Sequence, residues 1–359
     1  MASVELVSVI MAGGAGTRFW PLSTQDSPKQ FLRLLGDKSL LRMSLERTAG
    51  IVDPRKVLVL TSEAYVEKVQ KELPEVPKEN IFGEPMRRDT AAAICLAALV
   101  CKERFGNPVM AVLTSDHLIW PLDSFQKTLL SAAMAARDTE VLYTFGIPPT
   151  YPATGYGYLE LGEKIKEEDG IDHFQVVKFT EKPDAKKALE MLASGRFMWN
   201  SGMFVWTTEA ILREMELHLP IHLELLSQAM KSFGTEQWPR ELEKAFAALE
   251  PISIDYGVME KASRVMCAVG RFQWSDVGGW AALKDFLPKD GQGNAHRARI
   301  FCEESKENLV FCEDPEELVA LVGVENIIVV RCGKKTLICS LEKSEAVKKL
   351  VQRHVLELH

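Results

Sequence analysis

The sequence carries no excess of positive charge: 50 acidic side chains against 43 basic ones leave a net charge of -7 over 359 residues. Proteins that track a nucleic-acid backbone present a basic stripe, so no nucleic-acid partner is expected, while a small polyanion held by a few local cations stays open. Long apolar runs are missing too. The longest, "TAAAICLAALVC" from Thr90, is shorter than a bilayer span and is flanked by Arg88 and Lys102, so no membrane partner is expected. The first apolar run is short, follows Glu5 rather than a basic residue and is broken by glycines, which argues against a secretory leader. The seven cysteines form no C-x-x-C pair. Cys95 and Cys101 read as small buried hydrophobes, and Cys302, Cys312, Cys332 and Cys339 lack zinc-ligand spacing, so a reduced, cytoplasmic setting is expected. His218 and His222 are four apart, but Pro220 spoils the helical face that would make them a zinc pair. There is no G-x-S-x-G elbow and no activating context for a cysteine.

What is present is alternation. Runs rich in Val, Ile and Leu ("LVSVIM", "KVLVLTS", "PVMAVLTSD", "EVLYTFGI") are separated by longer amphipathic stretches such as "SLLRMSLERTAG" and "EAYVEKVQKEL". That pattern predicts βαβ units around a mostly parallel sheet covered on both faces, with ligands at the carboxyl ends of its strands. Residues 151–280 look more mixed, with antiparallel strands, and "PKDGQGNAHRAR" from Pro288 has a linker's composition. Beyond it come "RIFCEE", "NLVFCED", "LVALVGV", "NIIVVRC" and "KTLICSL", then a helix with Ser344 as its N-cap and Val347, Leu350, Val351 and Val355 on one face. This predicts a division into 1–286 and a small β-rich tail, 287–359, concerned with packing or assembly rather than chemistry.

The stretch "MAGGAGTRFWPLSTQDSPKQF", Met11–Phe31, follows the first predicted strand. A Walker loop needs Gly-Lys-[Ser/Thr], and no lysine follows any of these glycines. A dinucleotide fingerprint needs a third glycine where Phe19 stands, and Trp20-Pro21 opposes an immediate helix. A dehydrogenase reading would therefore need NAD(P)H binding to revive it. What remains is a loop whose glycines bring backbone N–H groups against phosphate oxygens, with Arg18 and Lys29, eleven residues further on, as counter-charges. It would wrap a triphosphate as a lid with one cation near each end.

"GGAGTRFWPLS" followed by "SPKQF" resembles the signature of the sugar-1-phosphate nucleotidylyltransferases, and its wording is similar to the mannose-1-phosphate guanylyltransferases among them. The resemblance implies a Rossmann-like α/β fold with a mixed, mostly parallel sheet and a small β-rich C-terminal domain, of which a short left-handed β-helix is one form. It implies the reaction of GTP with α-D-mannose 1-phosphate to GDP-mannose and pyrophosphate, Mg²⁺ as cofactor and a homodimer. In its terms Ala12, Gly13, Gly14, Gly16 and Thr17 hold the nucleotide, together with Ser115, while Arg18 and Lys29 engage the triphosphate and stabilise the leaving pyrophosphate.

Further motifs follow in family order. In "FGEPMRRDTAAAI", Asp89 and Thr90 are good helix-start residues on their own terms, which leaves Glu84-Pro85 and the Arg87-Arg88 pair unexplained. The resemblance lays Glu84, Thr90 and Ala91 against the base; either the Glu84 side chain or nearby backbone reads guanine. Asp116 in "LTSDHLI" caps a turn on the plain reading, and His117 is a supporting residue rather than a ligand. By resemblance Asp116 and Asp276 of "WSDVGGW" are the metal carboxylates, and only the resemblance says that they meet. In "TGYGYLE" Gly155 would bring backbone close to the sugar. In "KFTEKPD" Glu181 and Lys182 are adjacent, so on a strand they point to opposite faces. The plain reading is an exposed ion pair; the resemblance gives Glu181 to sugar hydroxyls and Lys182 to the sugar's phosphate. Asn200 in "WNSGMFVW" sits in ordinary turn chemistry and, by resemblance, binds the sugar. "SIDYGVMEK" resembles a supporting helix, with modest roles for Asp255 and Glu260. Longer members of the family append a sugar-phosphate isomerase domain for which this chain lacks room, so a single activity is expected.

Overall fold

The computed structural model describes residues 4–14 and 16–354; Val355, expected on the closing helix, lies outside the described residues. The chain divides into two compact units. One comprises the residues up to Ala12, Ser44–Ser115 and Ile119–Trp274; the other comprises Gly13–Met43, Asp116–Leu118 and the residues from Ser275 onward.

The first unit is built on a nine-stranded sheet. In chain order its strands are β1 (Leu6–Ala12), β2 (Val57–Ser62), β3 (Ile81–Glu84), β4 (Val109–Thr114), β5 (Leu142–Ile147), β6 (Tyr158–Glu168), β7 (Ile171–Thr180), β8 (Phe197–Thr207) and β9 (Val265–Val269). Their spatial order is β3-β2-β1-β4-β8-β5-β9-β7-β6. The β1–β2, β1–β4, β2–β3 and β5–β9 pairs are parallel, and β7 and β8 run against the rest. The near-continuous apolar runs of β1, β2, β4 and β5 follow from this, since a strand covered on both faces buries every side chain. The alanine-rich helix Asp89–Phe105 is buried almost all round, packed between the sheet and the helices Thr208–His218 and Pro220–Met230. Cys95 and Cys101 fill this core, and burial pushes both thiols up to about 12. His218 and His222 fall on those two separate helices, the break lying at Leu219.

The second unit pairs the glycine-rich loop with a β-helix. Strands β10 (Ala295–Arg297), β12 (Leu309–Cys312), β14 (Ile327–Cys332) and β15 (Lys335–Ser340) form one face, and β11 (Arg299–Glu303) and β13 (Leu318–Val322) another. The stretch from Pro288 is not a linker. Asn294 is fully buried, donates to Asp290 and to the Ser305 carbonyl, and accepts from the side chain of Asn308 at 2.9 Å, so its polar residues form an asparagine ladder that turns the first coil. The closing helix spans Ala346–Arg353; Glu345 precedes it without a side-chain cap, and Ser344 closes a preceding 3-10 turn rather than capping the helix. Val347 and Val351 bury its inner face in a core shared with Phe19, Trp20, Trp280, Leu309 and Phe311. Among the described residues no helix is long and apolar enough to cross a membrane.

Trp280 is the keystone of that core. It is fully buried, meets Phe19 edge-on at 5.0 Å and Phe311 at 5.1 Å, and donates its indole N–H to the Trp20 carbonyl at 2.9 Å. Trp280→Ala is expected to cost about 3–5 kcal/mol of stability in urea unfolding followed by circular dichroism. Trp280→Phe should cost about 1–2 kcal/mol, chiefly through the Trp20 carbonyl left without its donor.

Candidate active site

In the second unit the loop doubles back on itself. Gly16 has a φ of +57° and caps a 3-10 turn, Thr17–Phe19; a second such turn spans Lys29–Phe31. Ser23 Oγ donates to the Gly16 carbonyl at 2.6 Å. A Cβ on Gly16 would collide with the Lys29 Cβ and fall 2.9 Å from its backbone nitrogen, so only glycine lets the two ends touch. The loop therefore closes on itself, and its two cations line one cavity.

That cavity, about 350 Å³, is lined by Gly16, Thr17, Arg18, Lys29, Asp116 and Asp276, with Phe19, His117, Gly278 and Lys348 completing the wall. Lys29 donates to Asp116 Oδ2 at 2.9 Å and to the Asp276 carbonyl at 2.5 Å. Its side chain is 11% exposed and that of Asp116 30%, so the pair is only partly shielded by water and its attraction exceeds that of a surface pair. His117 Nε2 stands 3.6 Å from the other Asp116 oxygen. Arg18 Nε lies 2.7 Å from Glu345 Oε2. A Cβ on Gly278 would lie 3.1 Å from an Asp276 carboxylate oxygen, so that residue keeps the carboxylate uncrowded. Among the described residues no group of three or more His, Cys, Asp and Glu forms a metal cluster. Asp116 and Asp276, on the wall of one cavity, could hold a divalent cation of the kind that takes one or two carboxylates and draws its remaining oxygens from phosphate and water.

The first unit holds the other expected residues. Ala12 ends β1, its carbonyl accepting from Thr61 Oγ1 at 2.9 Å, and buried Ser115 donates its N–H to the Met11 carbonyl. Glu84 ends β3, where burial and then the nearby Asp89 charge push its carboxyl up to about 7. Asp89 opens the helix with a φ of +62° and accepts from the Thr90 N–H; Thr90 Oγ1 accepts from the Ile254 N–H at 2.8 Å, and the Ala91 N–H donates to the Ile252 carbonyl. The Arg87-Arg88 pair gains a partial explanation, since Arg88 donates to the carbonyls of Phe246 and Ala247 at the end of helix Trp238–Ala248.

Asn200 is not in a turn. It lies inside β8, where the register against β5 shifts between Thr144 and Gly146 and Gly202 takes a φ of +69°. The bulge leaves Asn200 7% exposed with every polar atom engaged. Its N–H donates to the Gly157 carbonyl, its Oδ1 accepts from Thr144 Oγ1 at 2.8 Å, and its Nδ2 donates to Asp255 Oδ1 at 3.0 Å. Glu181 and Lys182 do not diverge as strand neighbours would. The ladder stops at Thr180, Lys182 takes a φ of +43°, and its ammonium returns to Glu181 Oε1 at 2.9 Å. Burial opposes the charge on Lys182, but its pairing with Glu181 outweighs that and the net shift is upward. Gly155 stands clear of protein: a Cβ there would meet nothing within 4 Å.

Sequence reasoning passed over Gly157 and undervalued Asp255. A Cβ at Gly157 would lie 2.5 Å from Glu181 Oε2, so this glycine makes room for that carboxylate; the repeated glycine of "TGYGY" was its signal. Asp255 opens a π-type turn, Asp255–Met259, instead of an ordinary helix, and Glu260 of the same segment accepts the Glu181 N–H at 3.1 Å. Burial, then the Glu181 charge, push the Asp255 carboxyl up to about 7.

A family model described as nucleotidyl transferase matches residues 7–293, and one described as MannoseP isomerase/GMP-like beta-helix domain matches 303–354. The mannose-1-phosphate guanylyltransferase of Escherichia coli is 38% identical over 353 residues, covering 97% of this chain and 73% of that protein. The xanthan biosynthesis protein XanB of Xanthomonas campestris pv. campestris is 36% identical over 351 residues, with coverage of 97% and 73%. A crystal structure described as mannose-1-phosphate geranyltransferase from Thermus thermophilus superposes with a TM-score of 0.86 at 33% identity, covering 98% of this chain and 99% of that one.

A carboxyl raised from 3.8 to about 7 binds its proton more tightly in the folded chain than in the unfolded one, so it lowers stability as pH rises through that window. Asp255→Asn keeps an acceptor for Asn200 and removes the titration. The difference in urea midpoint, variant minus wild type, should therefore climb between about pH 4 and 7 and level off above; a flat difference would rule out the raised value.

Proposed function

The chain belongs to the nucleotidyl transferase family, and we propose that it catalyses GTP + α-D-mannose 1-phosphate → GDP-mannose + pyrophosphate. The observation that carries the reaction class is the cavity in which Lys29 is held between Asp116 and the Asp276 main chain, with Arg18 beside it. The choice of base and sugar is supported by the names of the guanylyltransferase relatives. Transfer of a geranyl group, which the name of the Thermus structure would suggest, calls for an apolar cleft, and the charged lining of this cavity disfavours it.

Residues of the second unit take the triphosphate. Gly13, Gly14, Gly16 and Thr17 offer backbone N–H groups, and Arg18 and Lys29 offset the charge that grows on the leaving pyrophosphate. Lys29 exchanges Asp116 for phosphate oxygen as the nucleotide enters, which frees the Asp116 carboxylate. Asp116 and Asp276 would hold a divalent cation, Mg²⁺ in the finer assignment, which when bound neutralises phosphate charge. In the first unit Ala12 and Ser115 flank the nucleotide; Glu84, or backbone beside it, reads guanine together with Thr90 and Ala91. Gly155, Glu181 and Asn200 take the mannose, and Lys182 its phosphate.

The nucleophile is an oxygen of mannose 1-phosphate, already ionised near neutral pH, so no general base is required. It forms a bond to the α-phosphorus as the bond from that phosphorus to the bridging oxygen breaks, and pyrophosphate departs with the electron pair. Positioning and charge neutralisation supply the acceleration. The same reading keeps 1–286 as the nucleotidyltransferase part and 287–359 as a β-rich accessory part, supported by the two family matches. It also includes a cytoplasmic location and a homodimer, the latter supported by the exposed Phe301, Leu318 and Val322 on β11 and β13.

The test is pyrophosphate release from a panel of nucleoside triphosphates against mannose 1-phosphate and glucose 1-phosphate, with and without Mg²⁺. GTP with mannose 1-phosphate and Mg²⁺ should dominate; turnover confined to another nucleotide would refute the base assignment. Lys29→Ala and Asp276→Ala should each lower kcat by about 10²–10³-fold. Near-normal turnover in both would sink the reaction class.

A further inference from the structure

We propose that the closing helix belongs to the polyphosphate site: Lys348 binds the triphosphate and its pyrophosphate product, and Glu345 holds Arg18 until that anion arrives. The proposal rests on the cavity described above and extends the nucleotidyl-transfer reading to a segment the sequence assigns to packing.

Three observations carry it. Lys348 lines the same cavity as Gly16, Thr17, Arg18 and Lys29. Its helix is anchored there, because Val347 and Val351 are each 3% exposed and pack in the core that contains Phe19, the residue following Arg18. Glu345 immediately precedes the helix and Lys348 lies in its first turn, three residues further on, at the spacing that lets two side chains reach the same side. Glu345 Oε2 lies 2.7 Å from Arg18 Nε, while Gly279 leaves the space beside the pair, its Cβ position lying 3.6 Å from Arg18 and 3.8 Å from Glu345.

The charges explain why both residues are needed. The lining holds three cations, Arg18, Lys29 and Lys348, against two carboxylates, Asp116 and Asp276. Glu345, paired with Arg18, supplies a third negative charge, so the protein's own charges around this wall balance. A polyphosphate competes with Glu345 for Arg18 and with Asp116 for Lys29, while Lys348 meets it as a further donor. A phosphate oxygen is the stronger partner, since its charge is higher and it accepts several charge-assisted hydrogen bonds. The Arg18–Glu345 pair is well exposed, 42% and 70% by side chain, so it is weak enough to yield.

The probe is inorganic tripolyphosphate, titrated calorimetrically into the full-length protein, with pyrophosphate inhibition of turnover as the second readout. Lys348→Ala, a helix-compatible change, should weaken tripolyphosphate binding and raise the pyrophosphate inhibition constant about tenfold, leaving the KM for mannose 1-phosphate unchanged. Lys348→Arg should restore most of the loss, and Lys348→Glu should deepen it. Glu345→Gln should tighten tripolyphosphate binding a few-fold. Wild-type affinity in Lys348→Ala would overturn the proposal. So would failure of the wild type to bind tripolyphosphate, an equal loss for mannose 1-phosphate, or weaker binding in Glu345→Gln. Tripolyphosphate binding that depends on Lys348, in a protein that transfers no guanylyl group, would instead refute the proposed reaction while upholding this site.

Discussion

The Lys29 ammonium lies between the Asp116 carboxylate and the Asp276 carbonyl, and through it three stretches of chain remote in sequence are fastened together. A charge that is only 11% exposed must be compensated, and removing one partner of such a pair costs several kcal/mol because the other is left unsatisfied. The rest of the loop follows from placing that one group. Gly16 is glycine because Lys29 packs against it, Ser23 turns back to the Gly16 carbonyl, and the two 3-10 turns carry the chain around the circuit. Phe19, one residue after Arg18, then meets Trp280, four residues after Asp276, so the apolar core and the charged cavity are assembled by the same few residues.

In the first unit the carboxylates are handled with the opposite sign. Glu84 and Asp255 are held with carboxyls near 7, pushed there by burial and by neighbouring acids rather than stabilised by cations. Asp255 is tolerated because Asn200 donates to it, and Asn200 is held in turn by Thr144 and the Gly157 carbonyl. An asparagine with every polar atom engaged cannot rotate, so the bulge in β8 fixes a side chain that a regular strand would have left on one face or the other. Lys182 reaches the same end by backbone strain: a positive φ turns it back over Glu181. Both devices trade local regularity for a fixed donor direction.

Local periodicity made most of the first unit legible. Its parallel strands read as apolar runs because both faces are covered, and the alanine-rich segment with its two buried cysteines forms a core helix. The five strand-like pieces of the tail also fell where the β-helix places its strands β11 to β15. The misreadings have a common physical source. "WNSG" has the composition of a turn, but pairing with two flanking strands holds it extended, and pairing is non-local. "EKP" alternates like a strand until the conformation of one residue reverses it. "PKDGQGNAHRAR" is polar enough for a linker, yet its one asparagine, Asn294, accepts from Asn308 further along the coils, and Asn308 in turn accepts from the Ile327 N–H. The meeting of Asp116 and Asp276 at one cavity, across 160 residues, left no local signal at all and rested on family resemblance.

The β-helix is harder to regard as an appendage once its core is followed. Ala295, Leu309, Phe311, Ile328 and Val330 from its coils pack in one cluster with Phe19, Trp20, Leu32 and Leu34 of the loop. A loop of three glycines and two prolines has little helical or strand propensity of its own and must be ordered by what it packs against. Removing the coils would expose that whole cluster, and the loop would lose its ordering before it lost any charge. The small β-rich unit therefore earns its place through the geometry of Arg18 and Lys29, and its tight core explains how a short tail segment can stand close enough to a phosphate loop to share its electrostatics.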